Sequence, residues 1–91
     1  MRIIKSYTQK GIQVSYFELE HKYLIKLEQG LVETTYKFRK GPGLESLAEL
    51  DAFCKTQVLE PALPLLSQAM TLRSQWIEGH FSDRFDFEEI I

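Results

Sequence analysis

The stretch from Ile12 to Lys40 constrains the fold more than any other part of this chain. Apolar and polar residues alternate through much of it, and β-branched and aromatic residues are frequent. Alternation with a period of two residues is typical of strands that bury one face of a sheet. The residues after Gly43 have helical spacing instead. We therefore expect an α+β fold: a four-stranded antiparallel β-meander followed by two C-terminal helices packed on one sheet face.

The 91 residues are expected to form one domain with a thin core. Within it, the sheet should occupy residues 1–40, and an acidic, aromatic tail should occupy residues 82–91. Turn-forming residues divide the sheet into predicted strands at 2–8, 12–19, 22–28 and 31–39. The turns between them are predicted to be a three-residue loop followed by two two-residue loops, at Gln9–Gly11, Glu20-His21 and Gln29-Gly30.

Two helices are predicted after the sheet, at 44–59 and 61–78. Ser46 and Glu49 have the spacing of an N-terminal capping box, although Gly43 could also start the first helix. Pro61 lacks an amide donor, so we expect a break or kink at Glu60-Pro61, and Gly79 suits a C-terminal cap. An apolar stripe of the first helix should face the sheet: Leu47, Leu50, Cys54 and Val58.

Alignment of the predicted strands separates the sheet into two faces. The core face collects Val14, Tyr16, Tyr23, Ile25, Leu27, Val32, Tyr36 and Phe38. The other face is mostly polar and includes Lys5, but Ile3, Phe17 and Leu24 fall in one row across it, with Tyr7 and Leu19 nearby. Scattered surface apolar residues are normal in globular proteins. Because this row is contiguous, we favour a contact patch.

Charge is distributed unevenly along the chain. Residues 1–43 carry a formal charge of +4 and residues 44–91 a charge of −6, which gives the net charge of −2. Such a distribution favours attraction within the fold, between copies, or to a polyanion. The candidate polyanion contacts lie on the third and fourth predicted strands and just after them: Lys22, Lys26, Lys37, Arg39 and Lys40.

Two further segments are candidate interfaces. The apolar residues of 61–78 cover more than one narrow helical stripe, and Trp76 could either anchor a contact or belong to the core. The tail contains Phe85 and Phe87 among acidic residues, which matches a row flanked by Lys5, Lys26 and Lys37. We expect residues 83–91 to dock on a sheet face or edge of their own chain or of a neighbour, the alternative being a frayed terminus.

The sequence contains no catalytic, cofactor-binding or metal-binding motif that we identify. Cys54, the single cysteine, lies on an apolar helical stripe and reads as an inert buried thiol. His21 and His80 have no spacing suited to a shared metal ion. The N-terminus lacks the apolar run of a signal peptide, and no segment is long and apolar enough to span a bilayer, so we expect a cytoplasmic protein.

These observations favour a small protein–protein interaction or oligomerisation domain, a dimer of identical copies or a complex with another protein, without catalytic activity. One alternative is a nucleic-acid-associated protein that uses the basic half of the sheet. A further alternative is a small-molecule-binding protein with a pocket between sheet and helices, lined by Tyr16, Tyr23 and Tyr36.

Overall fold

A computed structural model describes residues 1–81 and confirms the predicted α+β architecture. Four antiparallel strands lie side by side in the order of the sequence: β1 Arg2–Gln9, β2 Ile12–Glu18, β3 Lys22–Gln29 and β4 Val32–Arg39. The helical part follows and packs on one sheet face. It consists of α1 Leu47–Phe53, a π-helical segment Cys54–Val58 and α2 Leu59–Phe81.

The first hairpin differs from the expected one. Gln9 pairs with Ile12, so the loop holds two residues, Lys10 and Gly11, and not three. Both loop residues have positive φ, 54° and 78°, as a type I′ turn requires. This turn matches the twist of the flanking strands, which outweighs the strain that a positive φ imposes on a lysine. Its consequence is that Tyr7 pairs with Val14 and lies on the core face.

A β-bulge at Ile4 offsets this change further along β1. The register shifts between Ile3 and Lys5, so that Ile3 pairs with Phe17 as the sequence predicted. Lys5, which we expected on the outer face, pairs with Tyr16 and faces the helices instead. Ile4 itself packs against the edge of the core. A bulge inserts one unpaired residue, and here it compensates for the shorter turn.

The other two hairpins preserve the predicted faces. β2 and β3 pair in the expected register, Val14 with Leu27 and Tyr16 with Ile25. In the third hairpin Gln29 pairs with Val32, so the turn is Gly30-Leu31 and the predicted register was wrong by two residues. A shift of two keeps every side chain on its face, because successive side chains alternate.

The core lies between the sheet and the helices. Its fully buried members come from β2, β3 and the helical segments, with Tyr16, Ile25 and Leu50 among the largest. Phe53 of α1 packs edge-to-face on Phe38 of β4, with ring centroids 5.1 Å apart. Cys54 is buried and carries a free thiol, as its position on the apolar stripe suggested.

The helical region begins as a capped helix but has no break at Pro61. Ser46 accepts a hydrogen bond from the amide of Glu49 and caps α1, which starts at Leu47 and not at residue 44. The predicted break at Glu60-Pro61 is wrong: Pro61 is the third residue of α2 and follows the π-helical segment, where the regular pairing of amides with carbonyls four residues earlier is already interrupted.

The irregularity lies one turn earlier than predicted. In the π-helical segment the amide of Leu59 donates to the carbonyl of Cys54, five residues before it. The next sheet-facing residue after Cys54 is therefore Leu59, which is 1% exposed, while Val58 is only half-buried. Gly79 does not end the helix, which continues to Phe81. The predicted tail, with Phe85 and Phe87, lies outside the described residues.

Candidate functional site

Helix α2 extends beyond the sheet that supports it. Phe53 lies against Phe38 near the end of β4, whereas the methyl group of Met70 approaches Gly30 so closely that an added Cβ would meet it at 3.0 Å. The helix thus runs antiparallel to β4 and reaches the β3–β4 turn at Met70. The eleven residues after Met70 continue for about 16 Å at 1.5 Å per residue. We call residues 71–81 the overhang.

Burial changes sharply along α2. Leu59, Ala62 and Leu66 are each 3% exposed or less, but none of the residues from 67 to 80 is buried. The principal dimensions of 54 × 25 × 19 Å agree with this geometry. Residues 47–81 would span about 52 Å as a helix, whereas an eight-residue strand spans only about 26 Å. The helix is therefore about twice as long as the sheet it packs on.

An apolar stripe runs along the exposed part of α2. Leu65, Ala69, Leu72 and Trp76 are spaced by four, three and four residues, which places them on one side of a helix. Leu65 is 54% exposed, Leu72 45% and Trp76 67%. We call these four residues the α2 stripe. Its spacing is that of a seam between two packed helices.

The α2 stripe lies on the β4 side of the molecule. Ala69, Leu72 and Trp76 line a groove of about 380 Å³ together with Arg73 and residues 31–33, which are the end of the β3–β4 turn and the start of β4. Leu31 is 43% exposed, so apolar surface continues from the helix onto the sheet edge. Trp76, a candidate interface residue on sequence grounds, is thus at the surface and not in the core.

The predicted apolar row is present on the outer sheet face. Ile3 pairs with Phe17, and Phe17 pairs with Leu24. Leu24 in turn pairs with Lys37 of β4. We call Ile3, Phe17 and Leu24 the outer row. Ile3 is 55% exposed, Phe17 is half-buried, and Leu24 is only 7% exposed although it is not part of the main core. The row therefore forms a small apolar surface at the end of the sheet away from the overhang.

The five candidate polyanion contacts divide into two groups. Lys26 contacts Glu28 and Glu33 at 3.4 and 3.3 Å, and the hydrogen bond and charges of these carboxylates raise the pKa of Lys26. Lys40 lies 2.8 Å from Glu18, a carboxylate that also accepts a hydrogen bond from Arg2. Hydrogen bonds from Lys40 and Arg2 lower the pKa of Glu18.

The remaining three cations, Lys22, Lys37 and Arg39, have no acidic partner among residues 1–81. All three are exposed. Lys22 pairs with Arg39 across the strands, and Lys37 pairs with Leu24 of the outer row. We call these three residues the basic corner. Positive charge without an acidic partner in the described region thus lies on the same sheet face as the outer row, next to its member Leu24.

A second group of polar side chains lies between β1, β2 and α1. Tyr7 and Tyr16 share a hydrogen bond of 2.6 Å, and the hydroxyl of Tyr16 donates to Asp51 at 2.8 Å. Asp51 also contacts the ammonium groups of Lys5 and Lys55 at 3.1 and 3.0 Å. Sequence reasoning missed this cluster, because it depends on the turn and bulge that bring Tyr7 and Lys5 to the helix-facing side.

The protonation states in this cluster follow from burial and pairing. Burial raises the pKa of Tyr7 to about 12, and burial together with the hydrogen bond to Tyr7 raises the pKa of Tyr16. Burial alone would raise the pKa of Asp51, but hydrogen bonds from Lys55, Tyr16 and Lys5 lower it. The cluster therefore holds neutral tyrosines around an ionised, well-paired carboxylate. Its contacts join β1 and β2 to the helical region.

The pocket predicted between sheet and helices is not lined by Tyr16, Tyr23 and Tyr36 together. Tyr16 is fully buried and Tyr23 is 3% exposed, both within the core. A cleft of about 550 Å³ does lie between the β1 edge and the start of α1. Tyr23 borders it, and the other lining residues include Ile3, Glu18 and Ser46.

Neither a metal site nor a membrane span is found in residues 1–81. No three histidine, cysteine or acidic side chains in this region are placed to share a metal ion. The helices described there lack the combination of length and apolar character needed to cross a bilayer. Comparison with protein-family models finds no match, and neither a curated protein nor a solved structure matches the chain.

Proposed function

We propose that this protein is a small homo-oligomerisation module in which the α2 stripe packs against the α2 stripe of a second copy. The observation that carries the proposal is the loss of burial along α2: no residue from 67 to 80 is buried, yet apolar residues continue at seam spacing. Helices of about 12 residues are marginal in water when nothing packs on them. Thr71, Ser74 and Gly79 lower the intrinsic helix propensity of the overhang further.

An antiparallel arrangement fits the side chains of the α2 stripe better than a parallel one. About a two-fold axis between residues 70 and 71, Ala69 faces Leu72 and Leu65 faces Trp76 of the second copy. Each contact then joins a larger side chain to a smaller one. A parallel pair would instead place Trp76 against Trp76 and leave space between two alanines at 69. Because the same surface is used twice, the assembly closes as a two-fold dimer.

The interface would also include the start of β4. Leu31 and Val32 line the same groove as the α2 stripe, so a second helix that lies in this groove would cover both. Isologous dimers of stable proteins bury about 800 Å² per partner. The exposed Leu65, Leu72, Trp76 and Leu31 supply the apolar centre of such a surface.

Light scattering and sedimentation of the full chain test the proposal. At micromolar concentration we expect a mass twice that of the 10.6-kDa chain. Trp76→Glu should give a monomer, because it removes the largest apolar side chain of the α2 stripe and places an unpaired charge against Leu65 of the second copy. Gln75→Glu is the matched control: it adds the same charge on another side of α2 and should leave the dimer intact. A wild-type chain that remains monomeric at high concentration would contradict the proposal.

A further inference from the structure

We propose that the outer row and the basic corner form a docking site for residues 83–91 of a second copy of this chain. The inference rests on the proposed dimer and adds a second contact to it. The outer row supplies apolar surface at the exposed Ile3 and the half-buried Phe17, and the basic corner supplies three exposed cations without acidic partners among residues 1–81. The site therefore suits a segment that is both apolar and acidic.

The ten residues after α2 have this composition. Residues 82–91 contain four acidic residues and one arginine, a formal charge of −3, against three positive charges in the basic corner. Phe85 and Phe87 alternate with Asp86, so an extended segment would place both rings on one side. Each buried aromatic ring contributes roughly 150–250 Å², and two rings would supply a substantial part of a standard interface.

Chain length excludes docking of these aromatic residues on the outer row of their own chain. The outer row crosses β3 at Leu24, six residues from Gly30, which is about 20 Å along the strand. Phe81 lies about 16 Å beyond Met70 in the opposite direction. Phe87 must therefore travel roughly 36 Å and pass to the other sheet face. Six residues reach at most about 20–22 Å when fully extended.

The antiparallel dimer removes this obstacle. With the two-fold axis between residues 70 and 71, Phe81 of one copy lies opposite Glu60 of the other. Glu60 is ten residues before Met70, about 15 Å back along the helix in the direction of the outer row, and its side chain contacts Lys10 in the β1–β2 turn. The α2 stripe faces the β4 side, so the segment would leave the helix next to the partner's β4 edge. Lys37 and Arg39 lie on that edge strand.

Photocrosslinking between isotopically distinct copies tests the inference in the full chain. Phe87 is replaced by p-benzoylphenylalanine in an unlabelled copy, which is mixed with a ¹⁵N-labelled wild-type copy and irradiated. We expect crosslinks to labelled peptides that contain Ile3, Phe17, Leu24 or Lys37. Crosslinks confined to the unlabelled chain, or to labelled peptides of α2 alone, would overturn the proposal.

A matched pair of substitutions tests the role of charge. Lys37→Gln should lower the yield of the crosslink at least threefold, because it removes one of three cations that face the acidic segment. Lys55→Gln makes the same chemical change on the helical side of the sheet, beside Asp51, and should leave the yield unchanged. Equal yields for the two variants would contradict a docking site at the basic corner.

The outcome can be separated from the fate of the dimer itself. A dimer in light scattering without crosslinks to the outer sheet face would overturn the docking site and leave the α2 pairing standing. A monomeric wild-type chain would overturn both. Binding of mixed-sequence DNA or RNA that Lys37→Gln abolishes, without crosslinks to the outer row, would instead assign the basic corner to a polyanion.

Discussion

The two parts of α2 both contain large apolar side chains but have different surroundings. In residues 59–66 the sheet buries Leu59, Ala62 and Leu66, whereas in residues 67–80 no side chain is buried. The second part nevertheless contains large apolar side chains, among them Leu72 at 45% and Trp76 at 67% exposure. The contrast teaches that apolar content alone does not locate a core. What decides burial is how far the sheet extends beneath the helix.

The largest expected effect comes from equal truncations in the two parts. Leu66→Ala, at a side chain 2% exposed, should lower the free energy of unfolding by about 2–5 kcal/mol. Leu72→Ala, at 45% exposure, should change it by less than about 0.5 kcal/mol in dilute solution. Urea denaturation followed by circular dichroism at low protein concentration measures both. Equal losses would show that the two parts of α2 do not differ as described.

The sequence specified much of the fold but not its local corrections. The alternation from Ile12 to Lys40 identified the strands and both faces, and the faces survived a two-residue error in the third hairpin because such a shift preserves alternation. The type I′ turn at Lys10 was missed because lysine is not one of the residues that signal positive φ. The bulge at Ile4 has no sequence signal that we recognise.

The candidate sites were predictable to different degrees. The outer row followed from alternation, and the bulge restored Ile3 to it after the first turn had been misplaced. The sequence predicted five candidate cations but could not show which of them are paired. In the structure Lys26 and Lys40 pair with glutamates, which leaves the three residues of the basic corner. Most of the overhang falls inside the helix predicted at 61–78, and only the residues from Gly79 to Phe81 were missed. That this part extends beyond the sheet was not predicted, because strand and helix lengths alone do not show where the helix crosses the sheet.

The second prediction concerns the supported beginning of the helical region. Asp51→Asn should lower the free energy of unfolding by about 1–3 kcal/mol at neutral pH, because it leaves the paired ammonium groups of Lys5 and Lys55 without their carboxylate. Glu45→Gln, an exposed acidic position just before α1, is the control.

This effect of Asp51 should depend on pH in a defined direction. Its pKa in the folded protein lies below the ordinary value of 3.8, so ionised Asp51 stabilises the fold above that pH. The stabilisation is lost as pH falls through the lowered pKa of the folded state. Wild type and Asp51→Asn should therefore differ most near neutral pH and converge in acid. A difference that is constant from pH 7 to strongly acidic solution would contradict the pairing.

The smallest predicted effect lies at the boundary between the two parts. Gly30→Ala should cost about 1–2 kcal/mol, because it places a Cβ at φ 59° and 3.0 Å from the methyl group of Met70. Part of this cost should disappear in a Met70→Ala background, where the close contact is gone and only the backbone strain remains. A double-mutant cycle by urea denaturation measures this coupling. Zero coupling would contradict the close contact between Met70 and Gly30, from which we infer that α2 reaches the β3–β4 turn at Met70.

The π-helical segment Cys54–Val58 determines whether the helical region can lose or gain one residue without turning α2 relative to the sheet. One turn contains an additional residue, so that Leu59, and not Val58, follows Cys54 on the face toward the sheet. Deletion of the exposed Gln57, combined with Pro61→Ala to restore the missing amide, would leave a regular α-helix with the same residues facing the sheet. Insertion of one residue would rotate everything beyond it by about 100°.

Single-residue deletions and insertions at this turn should therefore have opposite outcomes. The deletion variant should keep both its core and its exposed apolar stripe, and hence its stability and mass in solution. The insertion variant should bring the wrong side of α2 to the sheet and unfold more readily. Chains descended from a common ancestor with this one should accordingly differ in length here by loss of one residue far more often than by gain.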